Sequence, residues 1–152
     1  MTKDQQKVFE YLQTQKLMSL ATNGKTLWAA TIFYAVDESL NLYVVTGPKT
    51  EHGRNFSQNP TVCGTICDSH QLNGDNKIGV QFRGVVEEVN GVESLTRAIA
   101  LWNRINPGVE KWVNIKNIQA NKINSRVFKI KPQVIKLFTT IGDEENELVL
   151  NF

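Results

Sequence analysis

Val44-Val45-Thr46-Gly47-Pro48-Lys49-Thr50-Glu51-His52-Gly53-Arg54-Asn55-Phe56-Ser57-Gln58-Asn59-Pro60-Thr61-Val62 is the stretch whose reading decides the fold. It opens on an apolar, β-branched run, the composition of a buried strand. Gly47-Pro48 ends that strand, because glycine permits the turn and proline has no N–H for a sheet ladder. Thr50 is placed to cap a short helix running to about Gln58, Asn59-Pro60 stops it, and Val62 opens another strand. A helix that begins where a strand ends presents free N–H groups and the positive end of its dipole. Lys49, His52 and Arg54 add donors there and Thr50 adds a hydroxyl, so this junction is a candidate anion site suited to a phosphate. The same residues also describe a capped surface helix with scattered basic side chains, and the rest of the chain has to decide.

Towards the N-terminus, Leu17–Thr22 reads as a strand and Asn23-Gly24 as a hairpin signal, since both positions tolerate positive φ. Its partner runs from about Thr26 to Val36, Asp37-Glu38-Ser39 makes the next turn, and Leu42–Thr46 is the third strand. Ahead of them, Thr2 and Gln5 have capping-box spacing, and Val8, Phe9 and Leu12 predict an amphipathic helix over 3–15 that covers one end of the sheet.

Towards the C-terminus, a strand at Thr61–Cys67 is followed by a polar loop, 68–77, in which His70 is a solvated side chain. Gly79–Val89 is a long apolar strand whose interior Gly84 marks a bulge or a close backbone approach. A helix near Val92–Ile105 carries Leu95, Ala98, Ile99 and Trp102 on one face, and Asn106-Pro107-Gly108 breaks it. A second helix is expected over Val109–Ala120, with Trp112 packed in a core or an interface. Arg126–Lys131 alternates, Pro132 is expected to interrupt that strand, and Val134–Leu137 continues it. The acidic run at 143–147 reads as a solvated loop, with Leu148–Leu150 as a short closing strand. Six to seven mostly antiparallel strands with segregated peripheral helices define an α+β fold with a barrel-like sheet. One domain spans 1–152, with its helix at 3–15, its barrel at about 17–139 and a C-terminal tail at 140–152.

Composition narrows the function classes. The 152 residues are 41% hydrophobic, enough for a core, and the net charge of +2 lacks the concentrated basic face that nucleic acid needs. No apolar run approaches the roughly 20 residues of a membrane helix, and the polar Met1–Gln6 start is unlike a signal peptide, so a cytoplasmic location is expected. Cys63 and Cys67 fall on one face of a strand about 13 Å apart, too far for a disulfide, and read as reduced packing residues. With only His52 and His70 besides, the chain offers no metal-ligating set. No GxGxxG, P-loop, GxSxG or HExxH pattern is present.

Several pieces then fall in a recognisable order: Leu20-Ala21-Thr22 before a hairpin, Ile32-Phe33-Tyr34, Leu42–Thr46, Lys49–Phe56, Asn59–Val62 and Gln81–Val86. In order and spacing they resemble the flavin-binding split barrel superfamily, the pyridoxamine-phosphate-oxidase-like proteins, over about Leu17 to Phe138. More narrowly, Leu27-Trp28-Ala29, Phe33-Tyr34, Lys49–His52, Gly64-Thr65 and Gly79–Gly84 resemble a small uncharacterised bacterial subgroup. The resemblance implies an antiparallel split β-barrel that forms a homodimer, with flavin mononucleotide (FMN) at the subunit interface. Where the family commonly places a serine or arginine and a lysine on the phosphate, this chain has Thr50 and His52, with Lys49 or Arg54 to supply a fixed charge. Ala30, Thr31, Ile32 and Phe33 would line the isoalloxazine ring, Thr46 would lie beneath it, and Gln81 would meet a polar ring edge. The function implied is an FMN-dependent oxidoreductase of unknown small-molecule substrate. No pair of acid and base residues stands out as catalytic, which suits a cofactor that does the hard step. The alternatives are a non-catalytic flavin carrier or sensor, and a haem-binding split barrel served by His52 or His70.

Overall fold

The computed structural model describes all of residues 1–152. In chain order the elements are α1 (Lys3–Thr14), β1 (Leu17–Asn23), β2 (Leu27–Phe33), β3 (Ala35–Val36), β4 (Leu42–Thr46), α2 (Glu51–Gln58) and β5 (Thr61–Cys67). There follow β6 (Ile78–Glu88), α3 (Val92–Ile105), α4 (Ile115–Gln119), β7 (Arg126–Ile141) and β8 (Glu144–Asn151). All strand pairings are antiparallel, in the order β2-β1-β5-β6-β7-β4-β3, and β8 adds to β7. The two ends of that order, β2 and β3, are consecutive in the chain. The run expected as one strand from 26 to 36 breaks at Tyr34; its first half pairs with β1 and its second with β4. That break closes the sheet into a barrel. Tyr34 is 1% exposed and its hydroxyl donates to the Leu12 carbonyl at 2.5 Å, which ties the joint to the end of α1.

The strand β7 is long enough to serve two neighbours on one side, β4 along Arg126–Ile130 and β8 along Val134–Ile141, with β6 on the other. Pro132 does not interrupt it. The register passes from Arg83↔Val134 to Gly84↔Pro132, so Gln133 is an extra residue and the bulge absorbs the proline's missing donor. Gly84 makes the close approach expected of it: a Cβ there would lie 2.4 Å from the Lys131 carbonyl oxygen.

Three further segments differ from their sequence reading. The acidic run and the C-terminal tail pair as β8, because alternation sends Glu145 and Glu147 to water while Leu148 and Leu150 lean on the barrel core. Only Ile115–Gln119 of the expected 109–120 helix forms, and Trp112 is 58% exposed. Asparagine-rich sequence offers the backbone side-chain partners outside a helix, and Asn114 and Asn117 take them. Finally, Cys63 and Cys67 do not pack; both lie exposed on the outer face of β5.

Side chains from every barrel strand, among them Leu20, Val44, Ile66, Val80, Ile130 and Leu137, form the main core, which Val8 and Leu12 of α1 and Phe56 of α2 cover. A second core lies outside the barrel, where Leu95, Ile99 and Trp102 of α3 pack with Ala35, Val113, Ile118 and Val127. The capping box at Thr2 and Gln5 is formed as the spacing predicts. No helix is long and apolar enough to cross a membrane.

Candidate functional site

The junction of β4 with α2 forms as its sequence dictates. Thr50 is the N-cap: its Oγ1 accepts from the Gly53 amide at 3.1 Å and donates to the Gly47 carbonyl at 2.7 Å. Gly53 has to be glycine, since a Cβ would sit 2.4 Å from the Gly47 oxygen. The other end of α2 is pinned by Asn55, 1% exposed, whose Nδ2 donates to Thr22 Oγ1 at 3.0 Å and to the Thr26 carbonyl at 2.9 Å. This clamp also explains Gly24. Neither Asn23 nor Gly24 has positive φ, but a Cβ on Gly24 would meet Asn55 Oδ1 at 2.4 Å. The glycine is needed for space, not for turn geometry.

The cations of the junction divide. His52 is 8% exposed, with Nε2 2.6 Å from Thr46 Oγ1 and its ring 5.8 Å from that of Phe56. Burial holds its pKa below the usual histidine value, so the imidazole is neutral at neutral pH. Arg54 turns back onto the Glu51 carboxylate and the Lys49 carbonyl, and Glu51 also accepts from Thr26 Oγ1 at 3.0 Å. Those two bonds, the arginine's first, hold the Glu51 carboxyl below its ordinary pKa. Lys49 is exposed. The first-turn amides of Glu51 and His52 have no partner within the helix. The donors this junction leaves for an anion are thus the exposed Lys49 and two backbone amides, while neutral His52 is engaged with Thr46.

The ring residues lie on β2, where Thr31 and Phe33 face outward and exposed while Ala30 and Ile32 point inward, half-buried. Thr31 stands in a lateral row with Ser19, Thr65 and Gln81 on the outer face. Gln81 pairs with Lys136 and Thr46 with Arg126, ten residues apart along β7 and so roughly 33 Å at ~3.3 Å per residue, so one protomer does not bring Gln81 to Thr46. This outer face is bare. Small residues (Ala21, Ala29, Thr31, Thr65) occupy its middle, and exposed Leu17, Leu27 and Phe33 its border. Phe33 also lines, with Val45 of β4 and the C-terminal end of α3, an apolar cleft of about 500 Å³. Sequence reasoning missed that cleft, whose only local signal is the apolar face of α3 carried past the helix end by Val109 and Val113.

Comparison with known proteins gives the family and the fold. The pyridoxamine 5'-phosphate oxidase family matches residues 4–138. A UPF0306 protein of Yersinia enterocolitica is 34% identical over 84 residues, 54% of this chain and 56% of that protein, so the match spans little more than half of the relative's length. Among solved structures, a haem-binding protein from Mycobacterium smegmatis superposes with a TM-score of 0.74 at 17% identity, over 97% of this chain and 58% of that one. HutZ, the haem storage protein from Vibrio cholerae, does so with a TM-score of 0.65 at 16% identity, over 97% and 95%.

Proposed function

The chain belongs to the pyridoxamine 5'-phosphate oxidase family, and from that premise we propose that it is an FMN-binding flavoprotein, an oxidoreductase acting on a small molecule, with the flavin held between two copies of the chain. The observation that carries this reading is the capped β4–α2 junction, where Thr50 fixes a helix start whose Glu51 and His52 amides are free and the exposed Lys49 lies one residue before the cap. Lys49 and those amides hold the phosphate, Thr50 fixes the helix start that presents them, and His52 keeps Thr46 aimed beneath the ring. Arg54 is already neutralised by Glu51, so phosphate recognition rests on a single cation, Lys49. Bound flavin supplies hydride or single-electron transfer. The chain's own part is to bind, orient and shield it, with Ala30, Thr31, Ile32 and Phe33 along one side of the ring.

The bare outer face of β2, β1, β5 and β6 supports the dimer. A Gln81 too distant within its own chain serves the ring from the second copy. Haem is the second reading, favoured by the two structural neighbours that bind it. Against it, His52 has its Nε2 engaged by Thr46, and His70 sits exposed in a loop beside Asp68.

The test is a visible spectrum of the purified protein after separate loading with FMN and with hemin, each followed by dialysis. Retained flavin absorbance is expected. Lys49→Gln should then weaken FMN by about five- to tenfold and leave riboflavin unchanged, as loss of one charge-assisted contact implies. A Soret band without flavin retention replaces this reading with the haem one. Flavin that is retained but never turns over with a reduced nicotinamide makes the protein a carrier or sensor.

A further inference from the structure

We propose that the cleft between β4 and α3 is a substrate subsite for a flat, apolar molecule carrying a single negative charge, and that Lys16 selects that charge. The cleft, at about 500 Å³, is of small-molecule size. Phe33 and Val45 form one wall and Trp102, Ile105, Val109 and Val113 the other, so the body of a ligand would meet only apolar surface. Three polar side chains interrupt it: Lys16, Asn106 and Ser125. Asn106 is committed, its Nδ2 donating to the Tyr34 carbonyl at 3.1 Å and the Trp102 carbonyl at 3.4 Å.

Lys16 is the one charged residue of the lining. Its Nζ donates to the Ile105 carbonyl at 3.1 Å, which fixes the ammonium at the mouth and leaves two of its three N–H groups for a ligand. No carboxylate opposes it. The neighbouring cleft of about 560 Å³ differs in this respect: carboxylates (Asp37, Glu87, Glu88) and cations (Arg97, Lys129) line it together. A phosphate dianion calls for several fixed donors or an arginine fork, and the apolar cleft has neither. One carboxylate or phenolate is what a single lysine can match. This chain would then differ from its family's namesake in the substrate it accepts.

Phe33 joins the cleft to the proposed ring position, so an occupant would abut the flavin. That adjacency rests on the reading above, but binding to the cleft does not. The test is calorimetry on the full chain with 2-naphthoate, its neutral isostere 2-naphthamide and the dianionic 2-naphthyl phosphate, with an FMN titration run in parallel. Naphthoate should bind at least fivefold tighter than the amide and no weaker than the phosphate. Lys16→Met should erase the preference over the amide while FMN affinity stays unchanged. Val109→Trp, which fills the cleft, should abolish binding of all three; if that variant does not fold, Val45→Phe fills the opposite wall. No binding to the unmodified chain, equal affinity for acid and amide, a phosphate tenfold tighter than the acid, or naphthoate unaffected by both cleft-filling changes would each overturn the proposal. Lys16-dependent naphthoate binding without FMN uptake keeps the subsite and refutes the flavin. FMN uptake without naphthoate binding does the reverse.

Discussion

Asn55→Ala tests whether the candidate site is held by the clamp described above. The side chain is 1% exposed and its amide makes two bonds, to Thr22 Oγ1 and the Thr26 carbonyl. Each bond contributes about 1 kcal/mol net, and the partners are left short of a donor in a place water reaches poorly, Thr22 being 2% exposed. The expected loss is therefore about 2–4 kcal/mol. For a chain of this size that lowers Tm by about 2–4 °C per kcal/mol, or roughly 4–16 °C in all. Urea unfolding followed by tryptophan fluorescence measures the first quantity and a thermal melt the second. Because α2 carries Thr50 and the free amides, FMN affinity should fall as well. Thr22→Val should then cost less in the Asn55→Ala background than in the natural chain, since the two share a bond. A loss below about 1 kcal/mol, or strict additivity of the two changes, would refute the clamp.

Gly84→Ala places a methyl group 2.4 Å from the Lys131 carbonyl oxygen, and a denaturant melt should show at least about 2 kcal/mol lost as β6 and β7 are forced apart at the bulge. His52 has its pKa pulled down by burial, so the unfolded chain takes up a proton first as pH falls. Stability it contributes above about pH 6.5 should drain away towards its lower folded-state pKa. His52→Gln should flatten that acid limb between pH 7 and 5 in urea midpoints, and an unchanged slope would mean the ring is not buried neutral. Ala21→Arg puts a charge in the middle of the bare outer face, so sedimentation should find monomers that have lost flavin, whereas a flavin-loaded monomer would sink the interface site.

The β4–α2 junction was legible because each step has a local cause: β-branched strand, glycine–proline turn, threonine cap, asparagine–proline stop. Gly84 was legible for the same reason. Pro132 and the acidic run were misread because their outcome depends on pairing partners far along the chain: β7 bulges at Gln133 against β6, and β7 also offers β8 a free edge. His52 shows the limit at the site itself. Its position next to a helix start suggests a cation, and only the packing of Phe56 and Thr46 around it makes it a neutral, buried hydrogen-bonding partner. The outer face escaped notice because serine, alanine and cysteine at alternate positions look like ordinary strand filler until four strands set them side by side.

The joint at Tyr34 has a mechanical consequence. Between β2 and β4 the barrel is zipped by β3 alone, two residues paired as Ala35↔Tyr43 and Val36↔Leu42. Every other seam is at least four residue pairs long, so this one will part first when the barrel breathes. Phe33 lies on one lip of that seam and Val45 on the other, and they form one wall of the apolar cleft. If the cleft takes a ligand as proposed, the aperture through which it would enter is set by the shortest zipper in the molecule, two residue pairs beside the Tyr34 joint.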